Sequence, residues 1–361
     1  MWPDKKLLEL VGIDLPIIQA PMAVSSGVDM ALAVSHAGGL GSLPCATMDV
    51  EGLRETLALL AQKTSKPLNI NFFTHQLPDT QQSQDDAWLK KLSPYYDEME
   101  VQLPADLSTG MLRPFDEAHC EVLEAFKPAV ASFHFGLPQF DLVERLKRAG
   151  IVILSSATTL DEAEWLENNG CDGIIAQGYE AGGHRGMFLN SDPTTQMGTM
   201  ALVPQIADAV SIPVIAAGGI ADGRGIAAAF ALGASGVQIG TAFLFAQEAT
   251  ISKVYKNALV GAKDEHSALT NIFSGRAARC LMNRVMRDMG PITSEVAEFP
   301  KSFNAFSALK SAGEALGIRD FSAHYCGQSV AQGKDTTATQ LTLDLAAEGV
   351  RRCQWMKAET D

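Results

Sequence analysis

Pro213-Val-Ile-Ala-Ala-Gly218-Gly219-Ile220 runs through an amphipathic stretch at 225–232 into Gly236-Val-Gln-Ile-Gly240-Thr241-Ala-Phe-Leu244. Two uncharged, Val/Ile/Ala-rich runs flank one helix-like segment, and each ends in glycine. Strands buried on both faces of a parallel sheet read as continuous apolar runs of this kind, without the alternation of a half-exposed strand. The unit recurs outward from here. Similar runs stand at 17–23, 39–45, 67–73, 129–135, 151–157 and 173–177, with helical stretches at 51–63, 117–126, 140–149, 160–168 and 200–209. Strand–helix alternation implies right-handed crossovers and a parallel sheet. Eight runs point to a closed (β/α)8 barrel rather than an open doubly wound sheet. Residues 225–247 carry no charge, but Gly233, Ser235, Gln238 and Thr241 interrupt them, so they read as a buried helix and strand and not as a membrane span.

Two segments break the spacing. Residues 74–116 contain Pro78, Pro94, Pro104, Pro114 and a polar cluster at 81–86, an insertion after the third strand on the face where barrels keep their active sites. The expected organisation is a barrel over 1–245 and a mainly helical region over 246–361 that packs on it and helps roof the site. Helices are expected there at 251–260, 282–289, 305–315 and 344–356, with a loop at Gly290-Pro291.

The chain has 361 residues, 47% hydrophobic and 19% charged, which excludes a disordered chain and a coiled coil. Its formal charge of −14 argues against nucleic acid as a partner and requires any anionic substrate to be drawn in by local groups. Cysteines 45, 120, 171, 280, 326 and 353 form no CxxC pair, and Met1-Trp2-Pro3-Asp4 does not open a signal peptide. Thiols in a reducing cytoplasm are the expectation.

Barrel chemistry comes from the C-terminal strand ends. Those ends are Pro21-Met22-Ala23, Asn69-Ile-Asn71, Ser132-Phe-His134, Gln177-Gly-Tyr-Glu-Ala-Gly182-Gly183-His184-Arg-Gly186, Gly218-Gly219 and Gln238-Ile-Gly240-Thr241. Glycine turns at two adjacent strand ends favour a phosphate site over bare tight turns, because backbone N–H groups can approach an anion closely there. No G-x-G-x-x-G follows a strand, and Gly327…Gly333-Lys334 misses the P-loop spacing. His184, set between glycines, is the leading catalytic candidate, since a neutral imidazole takes a proton near physiological pH; an exposed loop histidine is the other reading. His134 is the weaker one, and His36, His75, His119, His266 and His324 have no comparable setting. The histidines are scattered, and no metal site is expected.

The loop 177–186, the runs 214–220 and 236–243, and the pieces Ala20-Pro-Met-Ala23, Asn69-Ile-Asn-Phe-Phe73, Ser132-Phe-His-Phe-Gly136, Ser274-Gly-Arg-Ala-Ala-Arg279 and Tyr325-Cys-Gly-Gln328 resemble the nitronate monooxygenases, formerly 2-nitropropane dioxygenases, and most closely their bacterial class I. The resemblance implies an FMN-dependent TIM-barrel enzyme that oxidises alkyl nitronates, typically propionate-3-nitronate, with O2 to a carbonyl compound and nitrite. It implies that Pro21, Met22 and Ala23 line the flavin, and that Asn71 and Gln177 bond its ring or ribityl chain. Gly182, Gly218, Gly219, Gly240 and Thr241 would surround its phosphate, with Gln238 in the same cofactor set. His184 matches the catalytic histidine, and His134 and Ser132 belong to the substrate pocket. Two positions depart from the pattern: Val24-Ser25-Ser26-Gly27 replaces paired glycines, and Phe299 stands where a tyrosine is expected. The expected partners are a small anionic nitronate and O2, in a monomer or homodimer. The rivals are an NAD(P)H-dependent quinone reductase or type II enoyl-acyl-carrier-protein reductase on the same scaffold, and a non-catalytic nucleotide-binding barrel.

Overall fold

The computed structural model describes the chain apart from residues 1, 79–81, 109, 111, 263–266 and 359–361, so Gln81 and His266 lie outside the described residues. Its strands are β1 (Ile17–Gln19), β2 (Gly41–Pro44), β3 (Leu68–Phe73), β4 (Val130–His134), β5 (Val152–Ala157), β6 (Gly173–Gln177), β7 (Gly183–His184), β8 (Val214–Ala217), β9 (Gly236–Ile239), β10 (Ser267–Thr270) and β11 (Ala278–Leu281). Eight of them form one parallel sheet in the order β1-β9-β8-β6-β5-β4-β3-β2. Its two ends meet: Gln19 N donates to Leu40 O at 3.0 Å and Leu40 N to Ile17 O at 2.9 Å, across the parallel bridge Ile18–Leu40. The fold is the (β/α)8 barrel.

Side chains alternate along each strand, as the strand period of two requires. Ile18, Val130, Leu154, Ile175 and Ile215 fill the interior with Leu7, Val11 and Ile13 of the N-terminal segment. Their neighbours Ile17, Ala131, Ile153, Ile174 and Val214 face the helices in the main core. Both strand faces are therefore buried, which is why the runs carry no charge and most show no alternation in sequence; β3, with Asn69 and Asn71, is the exception. The uncharged segment 225–247 is the helix Gly223–Ala231 followed by β9, and Asp222 caps that helix by accepting from Arg224 N at 2.8 Å. Among the described residues, no helix is long and apolar enough to cross a membrane.

The helix of the final β/α unit comes late. Helix Ala338–Ala358 packs on Gly223–Ala231 and Val28–His36, and its Leu341, Leu345 and Cys353 join the core with Ile226, Phe230 and Met30. The stretch between β9 and this helix, expected to be mainly helical, holds the strands β10 and β11 besides the helices Lys253–Val260, Arg284–Met289 and Lys301–Ala315. Residues 74–116 contribute the helix Gln82–Glu98. Its Trp88, Leu92 and Tyr96 share a second core with Phe273, Ala305, Phe306 and Leu309. Trp88 Nε1 donates to Ser302 Oγ at 3.0 Å, and Lys301 Nζ meets Asp85 Oδ2 at 2.6 Å with both side chains buried. Insertion and C-terminal segment thus form one cap.

A buried ion pair is costly to break from one side, because the survivor stays desolvated. Asp85→Ala is expected to lower unfolding free energy by about 3–5 kcal/mol, and Asp85→Ala/Lys301→Met to recover most of the loss. Urea unfolding of the two variants checks this; equal losses in both would show that the pair itself contributes little.

Candidate active site

The mouth of the barrel is a cavity of about 730 Å³. Pro21, Met22, Ala23, Asn71, Ser132, His134, Gln177, Gly182, His184, Gly218, Gly219, Gln238, Gly240 and Thr241 all line it. Sequence distance separates these residues, and the strand ends bring them together.

His184 is held by a device that periodicity did not reveal. It lies in β7, which pairs antiparallel with β11 so that His184 opposes Ala278, and Arg185 N donates to Ala277 O at 2.8 Å. Two buried arginines tie the loop down. Arg185 donates to Gly178 O at 2.7 Å, Gln177 O at 2.6 Å and Gln196 Oε1 at 2.8 Å; Arg279 donates to Tyr179 O at 3.1 Å. The Gln177 amide donates to His184 O at 2.9 Å and accepts from Gly186 N at 2.8 Å, so this side chain shapes the loop as well as lining the cavity. The Cys326-Gly327 backbone approaches so closely that a Cβ on Gly182 would sit 2.5 Å from Gly327 N. Gln328 N, next along, donates to Glu180 O at 3.0 Å.

The His184 ring is half-buried, set among Phe73, Phe299, Phe303 and Tyr325 with centroids 5.3–6.2 Å away. Its Nε2 lies 3.0 Å from Ser274 Oγ. Burial, then the nearby His134, Arg276 and His75, push the imidazole down to about 3. His134 bridges Ser156 Oγ at 3.0 Å and His184 O at 3.1 Å, and burial takes it to about 4. His75, which nothing in its sequence context marked, is 4% exposed, sits 4.9 Å from the Phe299 ring and is pushed by burial and Arg276 to about 4. All three are neutral at physiological pH. Asn71 Nδ2 donates to Ser132 Oγ at 2.9 Å.

The opposite wall suits an anion. Gly218 and Gly219 have φ of +112° and +71°, a conformation glycine adopts without strain. The N–H groups of Gly219, Gly240 and Thr241 have no acceptor among the described residues. Gln238 Oε1 is buried with no donor. Peptide donors beside a helix N-terminus are a phosphate cradle, and an orphaned amide oxygen in the same cavity calls for a ligand N–H or O–H. Among the described residues, no cluster of His, Cys, Asp and Glu is suited to a metal ion.

The family profile described as "Nitronate monooxygenase" matches residues 4–348. The chain belongs to the nitronate monooxygenase family. It is 42% identical to a nitronate monooxygenase of Paraburkholderia phytofirmans over 95% of this chain and 94% of that one. It is 41% identical to one of Pseudomonas aeruginosa, over 95% and 98%. In structure it is similar to a nitroalkane oxidase from Streptomyces ansochromogenes, with a TM-score of 0.89, 36% identity and coverage of 97% and 99%. FabK from Thermotoga maritima has a TM-score of 0.72 and 27% identity, covering 99% and 100%. Membership of the family makes the chain an oxidoreductase of a flavoenzyme group.

The neutral histidines set an acid limit on stability. His75, His134 and His184 titrate at about 3–4 in the fold, against about 6.5 in an unfolded chain. Below pH 6.5 the unfolded state therefore binds more protons, and stability falls as pH drops toward 4 by up to roughly 1.4 kcal/mol per pH unit for each histidine. Urea midpoints at pH 7.0, 5.5 and 4.5 should fall, and should fall less steeply in His75→Phe; equal slopes would show that His75 is not buried neutral.

Proposed function

We propose that this protein is an FMN-dependent nitronate monooxygenase that converts small anionic alkyl nitronates and O2 to a carbonyl compound and nitrite, with propionate-3-nitronate as the type substrate, in a reducing cytoplasm. One observation carries the reading: a half-buried, neutral His184 and an unsatisfied amide cradle face the same cavity. The residues fit FMN. Gly219, Gly240 and Thr241 would hold its phosphate through N–H groups, Gln238 Oε1 and Asn71 would meet its polar atoms, and Pro21, Met22 and Ala23 would flank its ring. When bound, FMN takes electrons from the substrate and passes them to O2. The buried thiols accord with the cytoplasm, since the six cysteines form no disulfide.

His184 orients the substrate. Ser274 Oγ has two acceptors within reach, His184 Nε2 at 3.0 Å and Arg276 O at 3.1 Å; with its O–H turned to Nε2, Nδ1–H is left to donate to a nitronate oxygen, which is anionic and needs a donor. As a base toward the α-carbon of a neutral nitroalkane the same ring is poor, because an imidazole depressed to about 3 holds a proton weakly. The arrangement therefore favours the pre-formed anion. Lys310, on the cavity wall made by helix Lys301–Ala315, would meet a substrate carboxylate. The aromatic wall of Phe73, Phe303 and Tyr325 keeps water from the ring.

Nitrite release from propionate-3-nitronate by FMN-loaded protein in air is the test. Turnover on nitronate should be level between pH 8 and 5, and nitroalkane turnover far lower. His184→Asn should keep FMN absorbance and lose about 10²-fold in turnover, the usual cost of removing one preorganised donor to an oxyanion. Rapid anaerobic flavin bleaching by NADPH, with none by nitronate, would replace this reading with the reductase activity that the likeness to FabK keeps in view.

A further inference from the structure

Three imidazoles and one guanidinium are arranged about two phenyl rings. The Phe135 centroid lies 4.6 Å from the His134 ring, 6.1 Å from His184, 6.4 Å from His75 and 4.3 Å from Arg276 Cζ. The Phe299 centroid lies 4.9 Å from His75 and 5.7 Å from both His184 and Arg276 Cζ. Phe135 takes a left-handed φ of 74°, which a bulky side chain rarely adopts, and Thr74 Oγ1 fixes it by donating to Phe135 O at 3.0 Å. Backbone strain of this kind persists where the surroundings over-determine it, and it clusters at functional sites.

Arg276 differs from the two arginines that tie down the loop. Its Nη1 is buried without an acceptor. The acid that acts on it, Glu162, spends its own carboxylate on Thr158 N, Thr158 Oγ1 and Phe188 N. His75 is likewise without a partner at either ring nitrogen. Phenylalanine at 299, where the family resemblance leads to tyrosine, brings no oxygen to either group. An uncompensated charge among phenyl rings acts over a longer distance than the same charge in water.

We propose that Arg276 is an electrostatic positioning residue: from behind Phe135 it gives the His184 end of the cavity a positive potential that selects an anionic substrate over a neutral one of similar shape. Arg276 touches no substrate. It works through the field at His184, and it offsets locally the −14 charge of the whole chain. The groups around His184 agree with this role. His75, His134 and His184 are all held down by burial with Arg276 contributing, so none adds a charge that varies across the working pH range. Arg185 acts on His134, and Glu162 on Arg276. Ser274 and Tyr325, which adjoin His184, stay uncharged. The nature of the anion rests on the nitronate reading; the field does not.

The test uses the FMN-loaded full chain with Arg276→Met, Arg276→Gln and Arg276→Lys, the second neutral variant standing in if the first fails to fold. Two readouts are taken: kcat and KM for ethyl nitronate against nitroethane, its neutral conjugate acid, and imidazole titration by 15N NMR of histidine-labelled protein. In both neutral variants, kcat/KM for the nitronate should fall about tenfold, mainly through KM, while nitroethane changes little. The His184 titration should rise by about one unit, the same factor in an equilibrium constant. Lysine should restore both, because Arg276 acts by charge and not through its hydrogen-bonding fork. Equal losses for anionic and neutral substrates, failure of lysine to rescue, or an unmoved His184 titration would each overturn the role. If the parent protein releases no nitrite from any nitronate, the proposed function fails while the titrations still decide the role of Arg276.

Discussion

Where the chain leaves β6, the carbonyls of Gln177 and Gly178 converge on the buried guanidinium of Arg185. Desolvating that charge is costly, and the charge-assisted bonds to backbone oxygens and to Gln196 offset it. Burial and the neighbouring Arg279 lower it to about 10, so it stays a cation at physiological pH. The result is a reversal of the chain in a stretch that glycine would otherwise leave conformationally loose. Residues 183 and 184 then reach β11, and Gln177 finishes the loop from the other side. Remove the guanidinium, and a loop carrying Gly178, Gly182, Gly183 and Gly186 has no reason to keep an imidazole inside the barrel mouth.

This constraint explains why distant pieces of sequence belong to one site. Ser274 reaches His184 because β11 lies against β7, and the Cys-Gly-Gln segment closes the loop where two backbones touch at Gly182 and Gly327. The cap follows from the same pairing. β11 belongs to the C-terminal segment, the second core joins that segment to residues 74–116, and the roof over the cavity is built from both.

The barrel was legible because its strands are buried on both faces, so each run is uncharged, largely apolar and bounded by glycine, proline or a capping residue. The strand-end glycines were legible for a related reason: polar and glycine residues at the end of an apolar strand need something to contact. β7, β10 and β11 were not, since they lie outside the strand–helix alternation and pair antiparallel, β7 with β11 far away in the chain. The eighth β/α unit was hidden by chain distance, because periodicity identifies helix Ala338–Ala358 without naming its partners. His75 and Arg276 were missed as site residues because their environment is made by Phe135 and Phe299, which local sequence does not connect to them. The serine-glycine-arginine piece drew attention only as part of a resemblance.

The apolar wall has two consequences that reinforce each other. Phe73, Phe135, Phe299 and Phe303 surround the imidazoles with rings that bear no hydroxyl, and burial among them makes protonation unfavourable. The same low dielectric strengthens the field of the guanidinium of Arg276 in the cluster. A wall of tyrosines would weaken both effects, by stabilising imidazolium and by accepting from Arg276. A histidine driven this far below its ordinary range is a poor shuttle for protons, yet it is a constant hydrogen-bonding partner across the pH range in which a cell operates. For a substrate that arrives already deprotonated, as the proposed function has it, constancy is the more useful property, and it follows from the phenyl rings that crowd the imidazole, with Ser274 Oγ beside its Nε2.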